Sequence, residues 1–304
     1  MSIVGRFVMF SHRSDDTFDS TFAAKKYYLC RNLCIYNKFH YPKHQNCMKK
    51  YQTVTLTIVF FVLSISQTYA WGLQGHRIVG ELASGMLSCS ANKKITRVLS
   101  NSSIAMAANW GDFVKSDSVY EKFSIWHYTN LDANLTRSRF DSAALSTDNG
   151  ECIYRVIYLT DYLRQHPDDA QMLKLLIHIV GDMFQPLHLG RTEDLGGNKI
   201  EIKWFGQPTN LHSLWDNKLI DGQKLSYTEY AQYLRSVYKP RKTKYSENVV
   251  LQSAWDTYTV TNRIYDTVAE TSKPYRYIYD YESVWEKQLV EGAKLLATIL
   301  DYIY

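Results

Sequence analysis

The chain carries six histidines between residues 71 and 216, namely His76, His127, His166, His178, His188 and His212, and none after them. Two stand four residues ahead of an aspartate: His178 before Asp182 in LLIHIVGD, and His212 before Asp216 in NLHSLWD. On a helix, side chains at that spacing lie about 5–6 Å apart at Cβ, close enough to share one metal ion. The first pair sits in LKLLIHIVGDMF, apolar enough to be buried, where an unpartnered imidazole or carboxylate costs several kcal/mol. A partner or a cation is therefore required. His76 in WGLQGH, Asp112 in GDFVK, His127 in WHYTN and His188 in QPLH occupy similar motif-like settings, whereas His166 lies in a polar Pro-Asp-Asp turn and reads as a surface residue. Five histidines and three aspartates exceed the roughly four ligands of one zinc ion, so a multinuclear nitrogen/oxygen site fits better. No cysteine joins the set, which argues against a structural zinc finger and for a hydrolytic centre open to water and phosphate.

The elements that must position these groups read as helices. HRIVGELASGML sets Ile78, Val79, Leu82, Met86 and Leu87 on one face, and CIYRVIYLTDYLRQH repeats the pattern. HPDD offers an aspartate N-cap to AQMLKLLIHIVGDMF, and Pro186 closes that helix. NKIEIKWFGQP alternates enough for a short strand or hairpin edge beside the Gly196-Gly197 turn. Residues 227–238, 246–272 and 281–303 read as further helices. From Trp71 onward there is no internal repeat, low-complexity tract or linker. The expected class is mostly α: a single compact helical domain with a minor β-hairpin.

Net charge says little about partners. The 304 residues carry a formal +5, but nine of the 35 Lys/Arg and three of the 30 Asp/Glu precede residue 71. The remainder, 26 basic and 27 acidic groups, is close to neutral, which neither favours nor excludes nucleic acid. Between Tyr51 and Gly75 no residue is charged. The basic start MKK at 48–50, the apolar VTLTIVFFVLSI and the small-residue-ended TYA form a secretory signal peptide cut between Ala70 and Trp71. Its apolar run falls short of the roughly 20 residues of a membrane span, so an uncleaved anchor is the lesser alternative. Residues 1–47 have no trusted period and read as an upstream extension with no fold predicted; 48–70 is the signal peptide and 71–304 the working domain. The expected location is the periplasm or the medium. Cys89 and Cys152 remain after the cut and could pair, although nothing in their spacing decides it. Asn101-Ser-Ser and Asn134-Leu-Thr fit the N-glycosylation pattern of a eukaryotic secretory route.

Taken in order, WGLQGH, NWGDFVK, WHYTN, HIVGDMFQPLH, DLGGN and NLHSLWD resemble the S1/P1 nucleases, secreted zinc-dependent single-strand nucleases and 3′-nucleotidases. The resemblance runs from Trp71 to Asp216; the helical remainder carries no motif. It implies the helical fold shared by P1 nuclease and zinc phospholipase C, with a cluster of three zinc ions. Asp112, His127, His178 and Asp182 would hold one. Trp71, through its α-amine and main-chain oxygen, would hold a second with His76 and a bridging Asp182. His188, His212 and Asp216 would hold a third, more exposed one. The implied reaction is metal-assisted hydrolysis of single-stranded DNA or RNA to 5′-phosphates, with possible release of 3′-phosphate from nucleotides. Asp112 would orient water, Lys115 would contact phosphate, and Asn198 would stand near the scissile group. Tyr128 would stack a nucleobase, and Asn130 would replace an Asp that fungal members use to hydrogen-bond the base. Phe184 also departs from the family's pattern, at a position that is not a ligand. A monomer without a stable membrane anchor is expected. The competing readings are a zinc phospholipase C-like lipid phosphodiesterase, a non-enzymatic zinc-binding protein, and a purely structural His/Asp network.

Overall fold

The structure, a computed structural model, describes residues 71–304; the expected extension 1–47, signal peptide 48–70 and cut at Ala70 lie outside the described residues. Among the described residues the α-helices of eight or more residues are α1 (Leu73–Ser84), α2 (Cys89–Val98), α3 (Arg137–Ala144), α4 (Cys152–Gln165), α5 (Ala170–Met183), α6 (Tyr227–Tyr238), α7 (Glu247–Asp266) and α8 (Pro274–Ile303). One antiparallel hairpin, β1 (Glu201–Trp204) with β2 (Gln207–Asn210), pairs Glu201 with Asn210 and Trp204 with Gln207. The expectation of a mostly α domain with a minor hairpin holds.

α5 is the axis. Asp169 caps it by accepting the Gln171 and Met172 amides at 3.1 Å each, as the sequence predicts. From Leu175 to Met183 every residue is buried, which is how a helix apolar on all sides must sit. Around α5 pack α1, α4 and the 30-residue α8, and α8 also covers α1. α8 buries Tyr277, Tyr281, Trp285, Leu289, Ala293, Leu296 and Leu300 along one stripe.

Two boundaries differ from the sequence reading. The helix expected over 246–272 stops at Asp266, and a separate 3-10 turn spans Val268–Ser272. Thr267 Oγ1 donates to the Arg263 carbonyl at 2.9 Å, diverting a backbone acceptor at the break. The last helix begins at Pro274 rather than 281, with the proline at its first position, where its missing N–H costs nothing. Cys89 is exposed and Cys152 buried, both as free thiols, so the pairing left open by their spacing is not made. His166 is exposed, as expected.

Candidate metal centre

The centre residues come from several different local devices. His76 lies on α1, and His178 and Asp182 face the same side of α5 one turn apart. Asp112 belongs to the single turn Trp110–Phe113, and His127 ends the 3-10 helix Ser118–His127. His188 is in the 3-10 turn Pro186–Leu189, whose proline begins it. His212 sits in the turn Leu211–Ser213, capped by Asn210 Oδ1 accepting the Ser213 amide at 2.7 Å, so the hairpin delivers it. Asp216 follows in a π-helical turn, Leu214–Lys218.

These residues converge into three groups of ligand atoms: His76, His178 and Asp182; Asp112, His127 and His178; and His188, His212 and Asp216. Asp182 links the first two. Its Oδ1 is 3.2 Å from His76 Nε2, while Oδ2 is 2.8 Å from His127 Nδ1 and 3.3 Å from His178 Nε2. His178 Nε2 is also 3.6 Å from Asp112 Oδ1. In the third group His212 Nε2 stands 3.2 Å from Asp216 Oδ2, and His188 Nε2 3.8 Å from Asp216 Oδ1. His188 Nδ1 comes within 3.7 Å of Asp182 Oδ1, so this group abuts the others. It is buried as well, with His212 6 % exposed where His76, His178 and Asp182 are fully enclosed.

The ring nitrogens are oriented from behind. His178, His188 and His212 each set Nδ1 at 2.6 Å from a backbone carbonyl, of Ala108, His127 and Gly196 respectively. A proton on Nδ1 leaves Nε2 as a lone-pair donor, the usual arrangement behind a metal-binding imidazole. That lone pair then faces other acceptors: His178 Nε2 lies 3.1 Å from His127 Nδ1. Asp112 Oδ2, Asp182 Oδ1, His76 Nε2 and His188 Nε2 are buried with no hydrogen-bond partner. So many orphaned polar atoms in one place would be costly without a bound cation. Imidazoles grouped with carboxylates also suit zinc or a similar divalent metal, so the residues present fit the group.

Electrostatics agree. Burial holds His178 down to about 3 and His188 down to about 4, so both rings are neutral and ligand-ready at neutral pH. Burial pushes Asp112 upward, but His178, Lys115 and His76 outweigh it and keep its carboxyl below the ordinary value. The same contest leaves Asp182 well below that value, through His178 and His127. His212 goes the other way: burial lowers it, yet Asp216 raises it further.

The remaining expected residues lie around this centre. Lys115 Nζ is 2.7 Å from Asp112 Oδ1, and its charge also reaches His212. Asn198 follows the Gly196-Gly197 turn; its amide donates to the Leu195 carbonyl at 2.8 Å and its Oδ1 is buried without a partner. Tyr128, half-buried, continues from His127 in extended backbone, and half-buried Asn130 donates its amide to the Asn149 carbonyl at 2.8 Å. Trp71 is fully buried, and its neighbour Gly72 donates its amide to the Asp216 carbonyl at 2.7 Å. Its free α-amine depends on the cut at Ala70, outside the described residues. Phe184 is buried against Gly292.

Sequence reasoning missed three residues. Gln185, fully buried, donates from Nε2 to Asp216 Oδ1 and accepts the Leu187 amide at 2.6 Å. A Cβ on Gly111 would stand 2.4 Å from His178 Cδ2, and one on Gly181 2.5 Å from His76 Nδ1. Glycine inside a helix costs roughly 1 kcal/mol against alanine, so Gly181 in an otherwise apolar helix was the available signal.

A model of the family described as S1/P1 Nuclease matches residues 71–304. Endonuclease 2 of Arabidopsis thaliana is 30% identical over 186 residues, 55% of this chain and 63% of that protein. Nuclease S1 of Aspergillus oryzae (strain ATCC 42149 / RIB 40) is 26% identical over 279 residues, covering 82% of this chain and 97% of its own. Nuclease P1 of Penicillium citrinum is 31% identical over 174 residues, 52% of this chain and 63% of that one. This chain thus spans somewhat under two thirds of two of these relatives and nearly all of the third. With its His/Asp groups able to bind metal, the chain belongs to the metal-dependent S1/P1 nuclease family.

Proposed function

We propose that the protein is a secreted hydrolase, holding three zinc ions, that cuts phosphodiester bonds of single-stranded DNA or RNA to leave 5′-phosphates and also removes 3′-phosphate from nucleotides. The observation that carries this reading is the merging of three ligand groups in one buried centre, with Lys115 Nζ against Asp112. Trp71 and His76, with Asp182, would hold one ion; Asp112, His127, His178 and Asp182 another; His188, His212 and Asp216 the third. When bound, such ions lower the pKa of water toward about 7 and stabilise charge on the attacking and leaving oxygens.

The side chains do the rest. Asp112, tied by Lys115 at Oδ1, keeps Oδ2 free to accept a hydrogen bond from the water that attacks phosphorus. Lys115, about one third exposed, can leave part of its charge on a phosphate oxygen. Asn198, anchored at one end of its carboxamide, presents the other end near the scissile group. Tyr128 offers a ring face, and base stacking of that kind is worth about 1–3 kcal/mol whatever the base. Asn130 offers both a donor and an acceptor to a base edge. Among the described residues no helix is long and apolar enough to cross a membrane. Release after cleavage at Ala70/Trp71 and a monomeric working domain over 71–304 complete the reading.

The test is a protein beginning at Trp71, analysed for metal and assayed on a single-stranded oligonucleotide with and without chelator. Chelator-sensitive cleavage with three zinc ions per chain is expected. Cleavage of phosphatidylcholine without nuclease activity would favour the phospholipase-like reading. Zinc without any phosphoesterase activity would leave a metal-binding protein.

A further inference from the structure

Arg191, three residues after His188, has no part in the reading above. Its guanidinium carbon lies 4.0 Å from the centroid of the Tyr265 ring. Its Nε is buried without a hydrogen-bond partner, and among the described residues no carboxylate oxygen lies within 4.0 Å of the guanidinium. The nearby carboxylate turns one oxygen elsewhere: Asp194 Oδ1 accepts the Tyr265 hydroxyl at 2.8 Å and the Gly197 amide at 2.7 Å. The backbone is fixed on both sides, since Arg191 donates its amide to the Tyr265 hydroxyl at 3.2 Å and its carbonyl accepts the Gly196 amide at 2.9 Å. A permanently charged, partly buried fork with no ion-pair partner in contact can take an anion, and its planar geometry matches a phosphate.

Its place along the chain says which phosphate. The Thr129 amide donates to the His188 carbonyl at 2.9 Å, and the Leu131 amide to the Gly190 carbonyl at 2.8 Å. Moving away from the metal centre along this pairing, one passes Tyr128, then Asn130, then reaches Arg191. Three residues of chain keep the Cα of Arg191 within about 11 Å of that of His188. A nucleoside with its base on Tyr128 and its 3′-phosphate at the metal centre directs its 5′ carbon away from that centre.

We propose that Arg191, seated on Tyr265, binds the 5′-phosphate of the nucleotide whose 3′ ester is cut, and so sets a preference for internal linkages over isolated 3′-nucleotides. This rests on the proposed nuclease reading. Thymidine 3′-phosphate and thymidine 3′,5′-bisphosphate separate the two claims. Arg191→Ala should lower kcat/KM on the bisphosphate about tenfold or more, the scale of one charge-assisted hydrogen bond, mainly through KM. Activity on the 3′-phosphate should not change. Arg191→Lys should keep part of the preference, and Tyr265→Leu should lose it as Arg191→Ala does. Calorimetric titration of metal-stripped protein with thymidine 5′-phosphate should show weaker binding after Arg191→Ala. Unchanged melting temperature and metal content in each variant exclude simple misfolding. Equal losses on both substrates, or no loss on the bisphosphate, overturn the role of Arg191; hydrolysis of neither substrate by the unaltered protein overturns the nuclease reading instead.

Discussion

The centre has two halves built in opposite ways. The half around Asp182 stands mainly on regular helix, with His76 on α1 and His178 and Asp182 on α5, all fully buried. The half around Asp216 stands on a 3-10 turn, a three-residue turn and a π turn, and leans on a hairpin for its cap. One half gets its precision from rigid axes packed in the core. The other gets it from local hydrogen bonds, Gln185 to Asp216 among them. The helical half should therefore fail through bulk and charge, the irregular half through lost hydrogen bonds and protons.

The harshest way to break the contrast is Asp182→Ala, which removes the carboxylate that joins His76 and His178 to His127. Two metal equivalents and all measurable hydrolysis should disappear; retention of both ions by metal analysis would show that the halves do not divide as described. Next comes Gly181→Ala. Alanine should favour the helix by about 1 kcal/mol, yet its Cβ would strike His76. Loss of metal with an intact helical circular dichroism spectrum is expected, and a fully loaded variant would refute the close approach. His212→Ala should cost one metal equivalent and lower activity while the other two ions stay.

Acid should separate the halves without mutation. In the metal-free protein, His178 and His188 titrate below their ordinary value, so the stability they provide is complete above about pH 6.5. It is lost as pH falls toward about 4 for His188 and about 3 for His178. His212 titrates above its ordinary value, so its contribution is present at low pH and lost as pH rises through the folded value. Protons therefore compete for His212 first, and the metal of the Asp216 group should leave at a higher pH than the others. Simultaneous release on acid titration would contradict this. The smallest effect belongs to Gln185→Leu, where loss of a supporting hydrogen bond should weaken that same site by about 10- to 100-fold, read by competition with a chelator.

The same division explains what the sequence made legible. His178 and Asp182 stood out because a helix period and an apolar run together made two polar groups conspicuous. His212 and Asp216 showed the same spacing, but it is closed by a π turn that no pattern of residue types announces. The carbonyls of Ala108, His127 and Gly196 left no signal at all, since a backbone acceptor is present at every position. The start of α8 was hidden because its first turns alternate exposed Tyr275 and Tyr279 with buried Tyr277 and Tyr281, and rings on both sides blur the apolar stripe.

Those three carbonyls set the terms on which the site can change. A supporting carboxylate can be lost by one codon change; a backbone carbonyl survives every substitution of the residue that bears it. The orientation of His178 is thereby insulated from point mutation at Ala108, so long as the chain path holds; Gly196, at positive φ and with the Leu187 carbonyl oxygen 2.4 Å from where a Cβ would stand, has no such freedom. The ligand rings can stay aimed while the surface around them drifts. Inactivation by heat or denaturant should then coincide with movement of the backbone itself, making metal release an early report of loosening in the core.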